Sequence, residues 1–231
     1  MLSIDGLCFA YGSIKTLSDV TMSFAAGRVT CVLGRNGVGK TTLLKNIMGL
    51  LRPSAGSVRL ESFDITTLPP NRRARLGLGL VPQGRQIFSK LTTEENLRVG
   101  LEARTDKRRD VPAEVLELFP ALKSIAHRRG GDLSGGQQQQ LAIARALVGE
   151  PKVLLLDEPT EGIQPSVIRE IGHVLRELVE RKGLAVVLVE QYLQFVKEFG
   201  HDFYILNRGR VVADGKTVEL TPDLIKAHLS V

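Results

Sequence analysis

One nonapeptide limits this chain more than any other feature. "GRNGVGKTT", Gly34–Thr42, follows the apolar run "RVTCVL" and leads into "LLKNIMGL". The pattern G-x-x-x-x-G-K-[ST] is a strong signal when it joins a buried strand to a helix, and both flanks are present here. Glycine lets successive N–H groups turn towards one centre. The start of the helix adds partial positive charge. The stretch therefore predicts a cradle for phosphate groups, drawn from Gly34, Asn36, Gly37, Gly39, Lys40, Thr41 and Thr42. Lys40 would reach the β and γ phosphates, and Thr41 would offer a hydroxyl to Mg2+.

Such a unit belongs in an α/β chain, and the remaining pattern agrees. "LSIDGLCF" and "DVTMSF" alternate, with Val20, Met22 and Phe24 on one face. In "TLLKNIMGL", Leu43, Leu44, Ile47 and Met48 recur at helical spacing, and Gly49 is a stop. "SVRLESFDI" and "LGLGLVPQ" are further strands, and "DFYILNRGRVVADG" is a hairpin. "KVLLLD" and "LAVVLV" are short apolar runs of the kind buried in parallel sheets. "QPSVIREIGHVLRELVERKG" carries Val167, Ile171, Val174, Leu175 and Leu178 on one stripe, with Pro165 near its start and Gly183 past its end. Between about 88 and 149 the pattern turns helical, in "TTEENLRVGLEAR", "VPAEVLELFPALKSI" and "SGGQQQQLAIARALV". The expected organisation is a strand-rich core from 1–87 and 150–231, interrupted by a helical insert at 88–149.

Composition narrows the class. With 43% hydrophobic and 24% charged residues, the chain has enough apolar material for a packed core. Its apolar runs are too short to cross a bilayer, and "MLSIDGL" is unlike a secretory signal. Cys8 and Cys31 lie in apolar stretches and are expected to be buried, reduced thiols of a reducing compartment. The net charge is +6, with basic clusters at Arg72–Arg73–Arg75, Lys107–Arg108–Arg109 and Arg128–Arg129. These are read as solvated surface together with an anionic ligand. Aromatic residues make up 5% and Trp is absent, which argues against a stacking platform, so no nucleic-acid partner is expected.

Two further stretches carry chemistry. Asp157 closes "KVLLLD", and ligands of open α/β sheets lie at the carboxyl ends of strands. A hard cation on phosphates wants a carboxylate nearby, directly or through water, and Asp157 suits that role. Glu158 follows it and is expected to orient and polarise an attacking water. Alone, an Asp-Glu pair would be a cap or a surface ion pair; beside a phosphate loop the catalytic reading is favoured. "LSGGQQQQLAIARAL", Leu133–Leu147, is a second glycine turn before an apolar helix. Taken alone it is an ordinary N-cap at Ser134.

"GRNGVGKTT", "LSGGQ" and "LLLDEPT", in that order, resemble the nucleotide-binding subunit of an ABC transporter over essentially the whole chain. The resemblance implies a P-loop NTPase core with a mostly parallel sheet, an antiparallel β region and a helical subdomain insert. It implies ATP and Mg2+, with hydrolysis to ADP and phosphate powering transport. The implied partners are a second ATPase subunit (the same or a different one), two membrane permease subunits and, through the complex, a periplasmic substrate-binding protein. The implied place is the cytoplasmic face of the plasma membrane, held peripherally. In that family two subunits meet head to tail, and the signature of one caps the γ-phosphate held by the other. Ser134, Gly135, Gly136 and Gln137 match that signature.

By the same resemblance, Tyr11 stacks on adenine and Gln83 in "VPQGRQIF" reaches the metal and the attacking water. The segment after Gln83, about 84–100, corresponds to the face that touches the membrane subunit. Two positions depart from the family pattern. Gln191 stands where a histidine contacts the γ-phosphate, and Gln164 where an aspartate precedes proline. Glutamine donates a hydrogen bond but carries no charge. None of His127, His173, His201 and His228 fills that place. The implied consequence is a weakened or differently timed hydrolysis cycle. "DEPTEGIQP" with "VEQ" resembles the second ATPase of the branched-chain amino acid and amide importers. "GGDLSGGQQQQLAIARALVGEP" is similar to the urea importer's subunit, which makes urea the expected cargo and a branched-chain amino acid the alternative. Two further alternatives remain: a nucleotide-gated assembly protein that hardly hydrolyses ATP, and an ATPase handling DNA or ribosomes.

Overall fold

A computed structural model describes residues 1–229. A six-stranded sheet has the order β10-β9-β3-β8-β7-β6, from strands β3 (Arg28–Leu33), β6 (Leu78–Val81), β7 (Val153–Asp157), β8 (Ala185–Val189), β9 (Asp202–Asn207) and β10 (Arg210–Lys216). Its pairings are parallel except at the β9–β10 hairpin. A second, antiparallel sheet has the order β2-β1-β4-β5, from β1 (Leu2–Tyr11), β2 (Ile14–Phe24), β4 (Ala55–Leu60) and β5 (Phe63–Asp64). This is the expected mixture of a mostly parallel sheet and an antiparallel region.

Register positions the chemistry. Val32 pairs with Val189, Asp157 with Val189, and Val81 with Leu156. Four parallel strands therefore end at one level, and the loops that follow them emerge at one edge. Side chains alternate across this sheet, as the period of a strand requires. Cys31, Leu33, Leu154, Leu156, Val186 and Leu188 face one core. Val32, Val153, Leu155, Val187 and Val189 face another, shared with Val20, Met22 and Phe24 of the antiparallel sheet.

Helix α1 (Lys40–Met48) starts from Gly39 and stops at Gly49, which adopts the left-handed conformation with φ 81°. Helix α2 (Pro70–Arg75) follows β5. Between β6 and β7 lie α3 (Thr93–Val99), α4 (Ala113–Leu118), α5 (Pro120–Ser124) and α6 (Gly135–Val148). The long α7 (Pro165–Lys182) joins β7 to β8, with Pro165 in its first turn and Gly183 in the left-handed conformation as its stop. Helices α8 (Leu193–Phe199) and α9 (Pro222–His228) flank the β9–β10 hairpin. Among the described residues no helix is long and apolar enough to cross a membrane.

Four local expectations are corrected. "VPAEVLELFPALKSI" is two short helices, because Pro120 forces Phe119 out of the helical region, to φ −132° and ψ 71°. The buried stripe of α7 runs through Ile168, Ile171, Val174, Leu175, Leu178 and Val179, leaving Val167 half-buried beneath Gly136. Cys8 is only half-buried, and its sulfur accepts the Asp19 N–H at 3.2 Å; Cys31 is buried as expected, and both are free thiols.

Arg73 is the fourth. It is 1% exposed rather than part of a solvated basic cluster. Its guanidinium donates to the carbonyls of Asn46, Ile47, Leu68 and Thr66 at 2.7–2.9 Å, closing the end of α1. Arg73→Ala is expected to cost roughly 3 kcal/mol, the scale of one or two bonds to a charged donor. That corresponds to a fall of about 6–12 °C in Tm for a domain of this size, measurable by calorimetry.

Candidate functional site

The aligned strand ends converge on one open groove. It is lined by Tyr11, Asn36, Gly37, Gly39, Lys40, Thr41, Thr42, Gln83, Glu158 and Gln191, all selected from sequence. Gly34 lines an adjoining recess with Asn36 and Gln191. Asp157 lies beneath the groove, 3% exposed, and accepts a hydrogen bond from the Thr41 hydroxyl at 3.3 Å. Ser134, Gly135, Gly136 and Gln137 are absent from the residues that line it.

The cradle depends on glycine at two points. Gly34 and Gly39 have φ of 153° and 110°. A Cβ at Gly34 would lie 2.4 Å from the Leu206 carbonyl oxygen, and one at Gly39 would lie 2.9 Å from that of Thr16. Only glycine lets the loop press this closely on its neighbours. Gly39 at the start of α1 offers no side-chain cap, which leaves first-turn N–H groups open to an incoming acceptor. The start of α6 differs. Ser134 Oγ accepts the Gln137 N–H at 3.3 Å, and Gln137 Oε1 accepts the Ser134 N–H at 3.0 Å, which is a complete capping box.

Lys40 is 5% exposed. Its ammonium donates to the Gly34 and Arg35 carbonyls at 2.8 and 3.1 Å and lies 3.5 Å from Glu158 Oε1. Burial pushes the Lys40 ammonium down, and the nearby Glu158 carboxylate opposes this. Burial pushes the Asp157 carboxyl up, against the Thr41 hydrogen bond, which lowers it.

Glu158 sits at the centre of the groove in the left-handed region, with φ 49°. Gln191 Nε2 donates to Glu158 Oε1 at 2.6 Å and to Asn36 Oδ1 at 2.7 Å. Gln83 Nε2 donates to Glu158 Oε2 at 3.2 Å and to Glu161 Oε2 at 3.1 Å. Tyr11 is exposed at the rim, edge-on to Phe9 at 4.8 Å between ring centroids. Gln164 is the N-cap residue of α7 and makes no side-chain cap bond.

Sequence reasoning passed over several groups. Thr16, Thr160, Glu161, Glu190 and Tyr192 also line the groove. Arg85 donates to Gln138 Oε1 and to the carbonyls of Glu161 and Gly162, which ties the loop after β6, the start of α6 and the loop after β7 together. Arg145 holds the Gln86 carbonyl at 2.9 Å. Arg85 lies in the loop that follows β6 and Glu190 directly after β8, but their partners lie on other loops, which local spacing does not show.

The donor set suits a nucleotide with a hard cation. Thr41 and Asp157 offer oxygen, and the Gln83 amide adds another. Among the described residues no cluster of three or more His, Cys, Asp or Glu side chains forms a metal cage. A single carboxylate, Asp157, with neutral oxygens beside it suits Mg2+, which is bound through one or two carboxylates together with substrate phosphates.

Comparison with known proteins identifies the family. The ABC transporter family model matches residues 17–161. The high-affinity branched-chain amino acid transport ATP-binding protein BraG of Pseudomonas aeruginosa is 41% identical over 232 residues, 99% of each chain. The probable branched-chain amino acid transport ATP-binding protein LivF of Archaeoglobus fulgidus is 39% identical over 223 residues, 95% of this chain and 94% of its own. A dimeric post-hydrolysis state of the ATP-binding cassette MJ0796, bound to ADP and Pi, superposes with a TM-score of 0.83 at 27% identity, covering 94% of this chain and 99% of that one. The chain belongs to the ABC transporter family, as an ATP-binding subunit that hydrolyses ATP to drive transport.

Proposed function

We propose that this ATPase energises an importer of branched-chain amino acids, working as half of a dimer on the cytoplasmic face of the membrane. The cargo reading is supported by two near-full-length relatives named for branched-chain amino acid transport. Urea rests on the resemblance around "GGDLSGGQQQQ" alone, so the alternative displaces it as the main reading.

One observation carries the catalytic reading: Lys40, Thr41, Gln83, Glu158 and Gln191 share a groove from which the signature turn is absent. Each groove is half of a site. The phosphate loop binds the β and γ phosphates through its N–H groups and Lys40, with Tyr11 against the adenine. Ser134–Gln137 of a second subunit, identical or not, cap the γ-phosphate from the far side.

Thr41, Asp157 and Gln83 would hold Mg2+, which would supply neutralisation of the negative charge on the phosphates. Glu158 orients a water in line with the γ-phosphorus and accepts its proton. The new P–O bond forms as the bond to the β-phosphate oxygen breaks. Gln191 donates a hydrogen bond to the γ-phosphate but carries no charge there, which fits slower or differently timed turnover.

We read 88–149 as the helical unit that passes closure of the dimer on to two permease subunits, through the face around 84–100. The permeases take cargo from a periplasmic binding protein. No nucleic acid takes part.

Uptake of labelled leucine and urea, compared in wild-type and deletion cells, tests the cargo. Leucine uptake is expected to fall in the deletion and to return with the wild-type gene but not with Glu158→Gln. Loss of urea uptake alone would overturn the assignment.

A further inference from the structure

We propose that Glu190 is a positioning residue for hydrolysis, whose buried carboxylate ties the loop carrying Glu158 to the loop carrying Gln191. The inference rests on the reading that Glu158 polarises the water and Gln191 contacts the γ-phosphate.

Glu190 follows the last residue of β8 and is 2% exposed. Among the described residues it has no salt-bridge partner within 4.0 Å. Its bonds go to backbone instead. Oε1 accepts the Thr160 N–H at 3.0 Å. Oε2 accepts the N–H groups of Gln191 and Tyr192 at 2.9 and 3.2 Å. Burial pushes this carboxyl up, and the N–H donors pull it back. Burying a carboxylate is expensive unless it is hydrogen-bonded, and here three N–H donors offset that cost. What the carboxylate adds is acceptance at two points, on two loops that come from adjacent strands.

Those loops carry the reacting groups. Thr160 lies two residues after Glu158, whose left-handed backbone is held by its own N–H bond to the Val189 carbonyl at 2.9 Å. A non-glycine residue in that region persists only where its surroundings over-determine it. Glu190 supplies the second tether on the same turn. On the other side it fixes the Gln191 backbone, from which Gln191 Nε2 reaches both Glu158 Oε1 and Asn36 Oδ1. One buried carboxylate thus closes a ring through the phosphate loop, the acidic turn and the glutamine.

Both oxygens are needed as acceptors. Glu190→Gln keeps the shape but replaces one oxygen with an NH2 group. Whichever way the amide turns, that NH2 faces at least one N–H donor. Glu190→Asp keeps the charge and loses one methylene of reach.

The test is steady-state ATP hydrolysis by the full chain in its transporter complex, for Glu190→Gln, Gln191→Ala and the double variant, with thermal midpoints measured alongside. Glu190→Gln is expected to lower kcat by about 10²-fold, the scale of an ångström-sized misplacement. The KM for ATP should stay within about twofold, because uniform binding is untouched. The double variant should be no slower than the slower single variant, since both changes break one ring.

A kcat for Glu190→Gln within twofold of wild type would overturn the inference. So would multiplicative effects in the double variant, or a rate that merely follows the unfolded fraction. If Gln191→Ala alone leaves kcat unchanged, the assigned role of Gln191 fails, and the Glu190 single variant still decides its tie to Glu158. Should Glu190→Gln fail to fold, Glu190→Asp carries the same kcat and KM expectations.

Discussion

Glu158→Gln is expected to cut phosphate release by about 10²–10⁴-fold, the contribution of a positioned general base. ATP should remain bound. The structure gives the reason for the split. Glu158 lies where two amides converge, 2.6 Å from Gln191 Nε2 and 3.2 Å from Gln83 Nε2, with Lys40 3.5 Å away. A glutamine preserves the size of the side chain and an acceptor for one amide, but it takes no proton from water at neutral pH. Binding depends on the phosphate loop, which the substitution leaves alone. Single-turnover hydrolysis and equilibrium nucleotide binding, measured on one preparation, separate the two effects. A variant that hydrolyses ATP at more than about a tenth of the wild-type rate would remove Glu158 from its assigned role.

Lys40→Ala should fail differently. Its ammonium is buried against the Gly34 and Arg35 carbonyls, so it is held in the cradle by the loop itself. Charge placed in advance at the position where negative charge develops is worth about 10²–10³-fold in rate. The same charge meets the ground-state phosphates. Lys40→Ala should therefore lose both kcat and ATP affinity, whereas Glu158→Gln loses kcat alone. Titration with ATP and with a slowly hydrolysed analogue reads the difference. Wild-type affinity in Lys40→Ala would contradict a phosphate-binding role for this lysine.

The parts of the site legible in sequence are those written in local spacing. Gly34, Gly39, Lys40 and Thr41 are fixed by one loop between one strand and one helix, and the backbone adopts the geometry that spacing demands. Asp157 was legible because β7 is an uninterrupted apolar run with an acid at its carboxyl end. Glu190 was not, because its work is backbone recognition across a strand pairing absent from the linear pattern. Arg73 shows the same limit, since its partners lie on α1 and the loop before α2 while its neighbours Arg72 and Arg75 suggest a solvated face. The break between α4 and α5 was readable in Pro120, but the apolar periodicity of "AEVLELFPALKSI" ran across it. The groove's residues are assigned to a nucleotide, and none of them bears on the cargo.

Assembly of each complete site from two chains is the central claim, and complementation tests it most directly. Lys40→Ala has a damaged phosphate loop and an intact signature; Ser134→Arg has the reverse. In a mixed dimer, one composite site combines the intact loop of the second variant with the intact signature of the first. Each variant alone should release little phosphate, and an equimolar mixture should regain activity well above the sum of the separate chains. A mixture no more active than that sum, beside a wild type that turns over ATP under the same conditions, would contradict the claim.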